Sequence, residues 1–220
     1  MWDQIDLKLT TEWAKIVGGV IVFAIGFYQY RHGQKWKRRE FVASQIKDFE
    51  ADPKIRLAMT MLDWNDRVLY FPAEGGTKFI SIRVNEPLLR SALLPHEDAN
   101  GYFKNEVIIR ECFDDFLDML VRLSAFVEAK LIRTEELRPY LEYWITLISG
   151  KKPDWHTPEF FVLLRNHIQI YGFTKINQLM EHFGYDPVPS PEEVRHAVQS
   201  TLAIRPLGAE KTIPESDQHV

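Results

Sequence analysis

Residues 13 to 30, Trp13-Ala-Lys-Ile-Val-Gly-Gly-Val-Ile-Val-Phe-Ala-Ile-Gly-Phe-Tyr-Gln-Tyr30, form the one long apolar run of this chain. An apolar stretch of about 18 residues reaches roughly 27 Å as a helix, just enough to cross a bilayer core. Only Lys15 and Gln29 interrupt it, both near its ends, where long side chains reach the headgroup region. Trp2 and Trp13 lie on one side and Tyr28, Tyr30 and Trp36 on the other, as in an interfacial aromatic belt. The run therefore predicts a single transmembrane helix. The competing readings are a buried core helix and a cleaved signal peptide. A signal peptide needs a positive leading segment and a small-residue cleavage site. Here Asp3, Asp6 and Glu12 precede the run, against Lys8, and bulky and basic residues follow it.

Arg31, Lys35, Trp36, Lys37, Arg38 and Arg39 are expected at the membrane surface. Positive residues beside a span stay on the cytoplasmic side, so the N-terminus is expected outside and the bulk of the chain inside. The lone Cys112 forms no disulfide within one chain, which suits a reducing compartment. Residues 31–40 carry +4, which leaves −8 on the rest of a chain whose net charge is −4. Each basic residue near anionic lipid is worth about 1 kcal/mol. An acidic domain argues against nucleic acid as the main ligand.

The expected organisation is a short outer N-terminus (1–12), the span (13–30), a basic juxtamembrane helix (31–50), a cytoplasmic helical domain (51–205) and a disordered tail (206–220). The fold class is mainly α, a helical bundle with at most one small β-hairpin. Val42, Ile46 and Phe49 mark one stripe of the juxtamembrane helix, which either continues the span or lies on the bilayer. Arg67–Phe71 and Lys78–Val84 are the strand-like runs, with turn residues between them. Ile109, Phe113, Phe116, Leu120, Leu123 and Val127 repeat at spacings of 4 and 3, the signature of one buried helical stripe. Thr134 is expected to cap a further helix; Thr157-Pro158, Thr174 and Ser190-Pro-Glu-Glu193, the last with capping-box spacing, open three more.

The short anchor and basic stop, Arg38-Arg39-Glu40-Phe41, Phe113-Asp-Asp-Phe-Leu117 and Arg133-Thr-Glu-Glu-Leu-Arg138 together resemble a group of uncharacterised bacterial membrane-anchored proteins. That resemblance implies a helical cytoplasmic domain. It brings no assigned activity and no catalytic residue.

Asp114-Asp-Phe-Leu-Asp118 has the spacing with which helical prenyl synthases bind Mg²⁺ and diphosphate. The helical phase places these carboxylates opposite the apolar stripe, towards water, with Asp118 and Arg122 as an i,i+4 pair. No second aspartate-rich motif is present. The histidines, among them His96, His156, His167 and His182, show no metal-ligand spacing, and His96-Glu97-Asp98 reads as a polar loop. Cys112 lies beside the apolar stripe with acidic neighbours, which raise a thiol pKa, so it reads as packing. Trp155, Phe160 and Phe161 read as core before interaction patch.

Within the span, Ala14 and Gly18 have small-xxx-small spacing, and Gly19 and Gly26 lie seven apart. Such spacing lets helices approach closely. The expected function is a membrane-anchored, non-enzymatic interaction or regulatory protein, possibly an accessory subunit of a membrane complex. Its expected partners are membrane lipid and a protein partner or second copy, with no cofactor. The alternative is an interfacial enzyme acting on a lipid or lipid-linked phosphate.

Overall fold

Asp52-Pro53 stops the first helix and starts the second. The Asp52 carboxylate accepts from the backbone N–H groups of Lys54 (2.8 Å) and Ile55 (3.2 Å), and Pro53 takes a first-turn position where no N–H is needed. In the computed structural model, residues 2–72, 79–151, 155–205 and 211–212 are described; side chains are described for these except 2–12, 14, 16, 211 and 212. Helix α1 runs from Trp2 to Ala51. The apolar run and the basic segment are thus one continuous helix, the first of the two arrangements expected.

The chain divides into two compact units, residues 1–44 and 45–220. Among the described residues, no helix is long and apolar enough to cross a membrane. The transmembrane helix expected from the sequence is therefore unsupported at the level of fold. What stands is a mainly helical protein with a small antiparallel sheet.

The second unit begins with the end of α1, where Ile46 and Phe49 are buried. It continues through α2 (Pro53–Asp63), strands β1 (Arg67–Pro72) and β2 (Phe79–Val84), and helices α3 (Glu86–Ala92) and α4 (His96–Ala99). Strand β3 (Tyr102–Phe103) and helices α5 (Lys104–Glu128), α6 (Thr134–Ile148), α7 (Pro158–Ile170), α8 (Lys175–His182) and α9 (Pro191–Ile204) follow. Helix α5 is the spine: Ile109, Phe113, Phe116, Leu120 and Leu123 are all 0% exposed. Phe49 meets Phe116 at 5.7 Å and Phe113 meets Phe160 at 6.3 Å between ring centroids. Helix α2 packs on α5, and α7 on α9. Phe160 and Phe161 are core, whereas Trp155 is exposed.

The hairpin forms as expected, with Arg67 opposite Val84 and Pro72 opposite Phe79. Period-2 alternation buries Leu69, Phe71, Ile82 and Val84 and exposes Val68, Tyr70, Phe79, Ser81 and Arg83. Asp66, with φ +56°, turns the chain into β1 and receives both Nε and Nη2 of Arg83 at 2.7 Å. Residues 73–77 of the expected turn, and Lys78 of the expected second strand, lie outside the described residues.

Three local expectations change. Thr134 is the first residue of α6 rather than its cap; Arg133 caps it, its N–H donating to Glu136 (3.0 Å). His96–Ala99 is a short helix, not a loop. Within the tail, Lys211–Thr212 forms a two-residue strand, β4, against β3; the rest of 206–220 lies outside the described residues. Gly150 ends α6 at φ +73°, and a Cβ there would stand 3.1 Å from that of Phe161, so glycine is required twice over. Ser190 and Glu193 exchange bonds in the predicted capping box at α9.

Candidate functional site

On α1, the apolar side chains of the predicted span face outward. Val17, Val20, Ile21, Val22, Phe23, Ile25 and Phe27 are each more than half exposed. At about 100° per residue these positions cover the whole circumference of the helix, not one stripe. A helix that is apolar all round needs an apolar surrounding on every side. Apart from the helix's own neighbouring backbone, no atoms of the described residues lie within 4 Å of where a Cβ of Gly18, Gly19 or Gly26 would stand. Gly19 and Gly26 share a face, about 20° apart over one heptad. The side chain of Ala14 lies outside the described set.

The basic segment continues this helix without a break. Arg31, Lys35, Trp36, Lys37 and Arg39 are exposed, and Arg38 is half-buried. Arg31, Lys35 and Arg38 fall within about 60° of one another, which makes one basic ridge. Arg31 sits over the Phe27 ring at 5.6 Å, and Tyr28 meets His32 at 6.1 Å, so aromatic and cationic groups interleave at the end of the apolar run.

In the second unit, three polar centres are buried. The His156 ring, stacked on Phe160 at 4.4 Å, has Nδ1 2.6 Å from Glu86 and Nε2 2.9 Å from the Met61 carbonyl. One ring nitrogen thus faces a carboxylate oxygen and the other a backbone carbonyl. Thr157 adds its N–H (3.1 Å) and its hydroxyl (2.7 Å) to the same carboxylate. Burial works to raise the Glu86 pKa, but the His156 and Thr157 bonds outweigh it and hold the carboxyl below its usual range. This centre ties the starts of α3 and α7 to the end of α2.

Glu106 and Arg205 form the second centre. The Arg205 guanidinium donates to both Glu106 oxygens (3.0 and 2.5 Å) and to the carbonyls of Gly101 (2.8 Å) and Ala99. Glu106 also accepts the Phe103 N–H at 2.8 Å. Thus the residue after α9 is clamped to the start of α5.

The third centre corrects an expectation. Asp114 does not simply face water: its carboxylate stands 2.7 Å from Nε2 of His167, which is 1% exposed. Burial, aided by nearby Arg110, lowers the His167 pKa despite Asp114. Nε2 faces this carboxylate, to which an Nε2–H donates. Nδ1 is buried and has no hydrogen-bond partner. A histidine oriented by a carboxylate with a free lone pair is the arrangement of a general base. Here, however, the ring lies against Tyr171 (4.6 Å) and Phe173 (5.9 Å), sealed from solvent.

The other two aspartates of the motif do face outward, as the helical phase requires. Together with Asp48 and Asp52 they line a groove of about 660 Å³ that also holds Arg122 and Lys175. Lys54 spans to Glu111 (3.1 Å) and Asp115 (3.4 Å), and Lys175 to Glu128 (2.7 Å). Among the described residues, no three His, Cys, Asp or Glu side chains come close enough to hold a metal ion. The expected Asp118–Arg122 ion pair is not formed. Cys112 is 1% exposed and its pKa is pushed up to about 12, chiefly by burial, with Asp115 and Glu111 adding to it against Lys54.

The buried pairs were not visible in the sequence because their members lie far apart, 70 residues for Glu86 and His156 and 53 for Asp114 and His167. The available signal was positional: Glu86 opens α3 just before Pro87, and His156 lies two residues before Pro158, the first residue of α7. No protein-family model, curated protein or solved structure matches this chain. The resemblance to uncharacterised membrane-anchored proteins therefore yields no family assignment.

Proposed function

We propose that this protein is anchored to the cell membrane by α1 and works there as a non-enzymatic interaction or regulatory protein. The observation that carries the proposal is the exposure of Val17–Phe27 apolar side chains around the full circumference of α1. In water, each exposed side chain of this size forgoes about 1.5–3 kcal/mol of burial. Lipid removes that penalty. The basic ridge of Arg31, Lys35 and Arg38 supports an inside position for the C-terminal unit, with the N-terminus outside. The open surfaces at Gly18, Gly19 and Gly26 suit close contact with another membrane helix, either a protein partner's or a second copy's.

The test is extraction and protease access in intact cells. The full chain is expected to stay in the membrane pellet at alkaline pH, with the C-terminal unit protected from external protease. Replacing Lys35, Lys37, Arg38 and Arg39 together by Gln is expected to produce a mixed orientation, read as partial external digestion. Release of the unaltered chain by carbonate would overturn the anchor.

A further inference from the structure

Among the described residues, strand β2 pairs only with β1 and has one unpaired edge. Natural edge strands are usually blunted by proline, lysine, a bulge or a covering element. Strand β1 carries Pro72; β2, Phe79-Ile-Ser-Ile-Arg-Val84, carries neither proline nor lysine, and its one charge, Arg83, is already paired with Asp66. Its inner face is also incomplete. Ile82 and Val84 are each 3% exposed, yet Ile80 on the same face is only half-buried. On the outer face Phe79 is 67% exposed.

We propose that β2 pairs antiparallel with β2 of a second copy of this chain, joining two hairpins into one four-stranded sheet. The strand complements itself about a two-fold axis through Ser81. In that register Ile80 lies opposite the partner's Ile82, and Phe79 opposite the partner's Arg83. Residues directly opposite share a face in an antiparallel pair, so apolar meets apolar inside and ring meets guanidinium outside. Sliding by one residue sets inner residues opposite outer ones and loses both matches. Arg83 is suited to the role. Asp66 engages the edge of its guanidinium bidentately at 2.7 Å and leaves the planar face free for an aromatic ring. A closed two-fold pairing satisfies both open edges at once, which an unrelated strand would do for only one. This inference rests on the C-terminal unit alone and does not depend on the anchor.

The experiment uses the full chain in detergent micelles, with mass measured by light scattering across a concentration series. Ser81 is exposed, so charge there leaves the core intact. Ser81→Lys and Ser81→Glu each place like charges face to face on the axis, and each is expected to raise the dimer dissociation constant about fivefold. Mixing the two variants is expected to restore association as a heterodimer. Under mild oxidation, Ser81→Cys is expected to form a cross-linked dimer and Arg83→Cys is not; Cys112 stays in place because it is 1% exposed. A monomer at all concentrations, a dimer indifferent to charge at Ser81, or cross-linking at Arg83→Cys instead of Ser81→Cys would each overturn the pairing. A monomer that binds anionic vesicles and loses them on Ser81→Glu would overturn it too, and would assign the strand to lipid.

Discussion

Phe23 on α1 is 74% exposed and Phe116 on α5 is 0% exposed, although both sit in helices rich in apolar residues. The difference lies in pattern. On α5 the apolar residues keep to one side, at spacings of 4 and 3, and acidic and basic residues fill the other. Such a helix can bury its stripe against α2, α3 and α8 and leave its charges in water. On α1 between residues 17 and 27 the apolar residues occupy every direction and no polar face exists. A single neighbour cannot bury such a helix; only a continuous apolar medium or a ring of helices can. The two helices thus show that apolar content alone does not choose a core. Angular distribution does.

The sharpest way to break that contrast is to truncate both rings. Phe116→Ala is expected to cost about 3–5 kcal/mol in denaturant unfolding of the full chain in detergent, because it opens a cavity among packed rings. Phe23→Ala is expected to change the same midpoint by less than about 0.5 kcal/mol, since the ring is 74% exposed and meets only the exposed Phe27 ring, at 6.2 Å, among the described residues. Equal losses would show that the exposed run is buried by the protein itself.

A smaller effect separates two aspartates four residues apart on α5. Asp114→Ala leaves the buried Nε2–H of His167 without an acceptor and is expected to cost about 1–3 kcal/mol. Asp118→Ala, at an exposed site without an ion pair, is expected to stay within about 0.5 kcal/mol. If the two behave alike, the Asp114–His167 bond does not persist in solution.

The smallest expected effect is in the pH profile. The native His167 resists protonation, while the unfolded chain takes up a proton near the ordinary pKa of 6.5. A group whose folded pKa is depressed stabilises above its unfolded pKa, and stability falls as pH drops below about 6.5. Glu86, also depressed, adds a second decline below its ordinary 4.5. His167→Gln keeps a donor for Asp114 but cannot titrate, so its thermal midpoint is expected to fall less between pH 6.5 and 5 than that of the unaltered chain. The acid limb below 4.5 is expected to remain.

The sequence by itself determined what local chemistry controls. Helix positions followed from apolar periodicity, from Asp52-Pro53 and from the Ser190–Glu193 capping box, because these act within a turn or two of chain. The hairpin followed from period-2 alternation, and the buried face of α5 from its 4-and-3 spacing. The same phase argument sent Asp114 to solvent, because it sees one helix at a time. Only the tertiary structure brought α7 across α5, close enough for His167 to claim that carboxylate. It likewise joined Glu86 to His156 and Glu106 to Arg205, pairs whose members are separated by dozens of residues and share no sequence signal. Long-range polar pairing depends on which helix faces are packed together, and no periodicity within a single element encodes that.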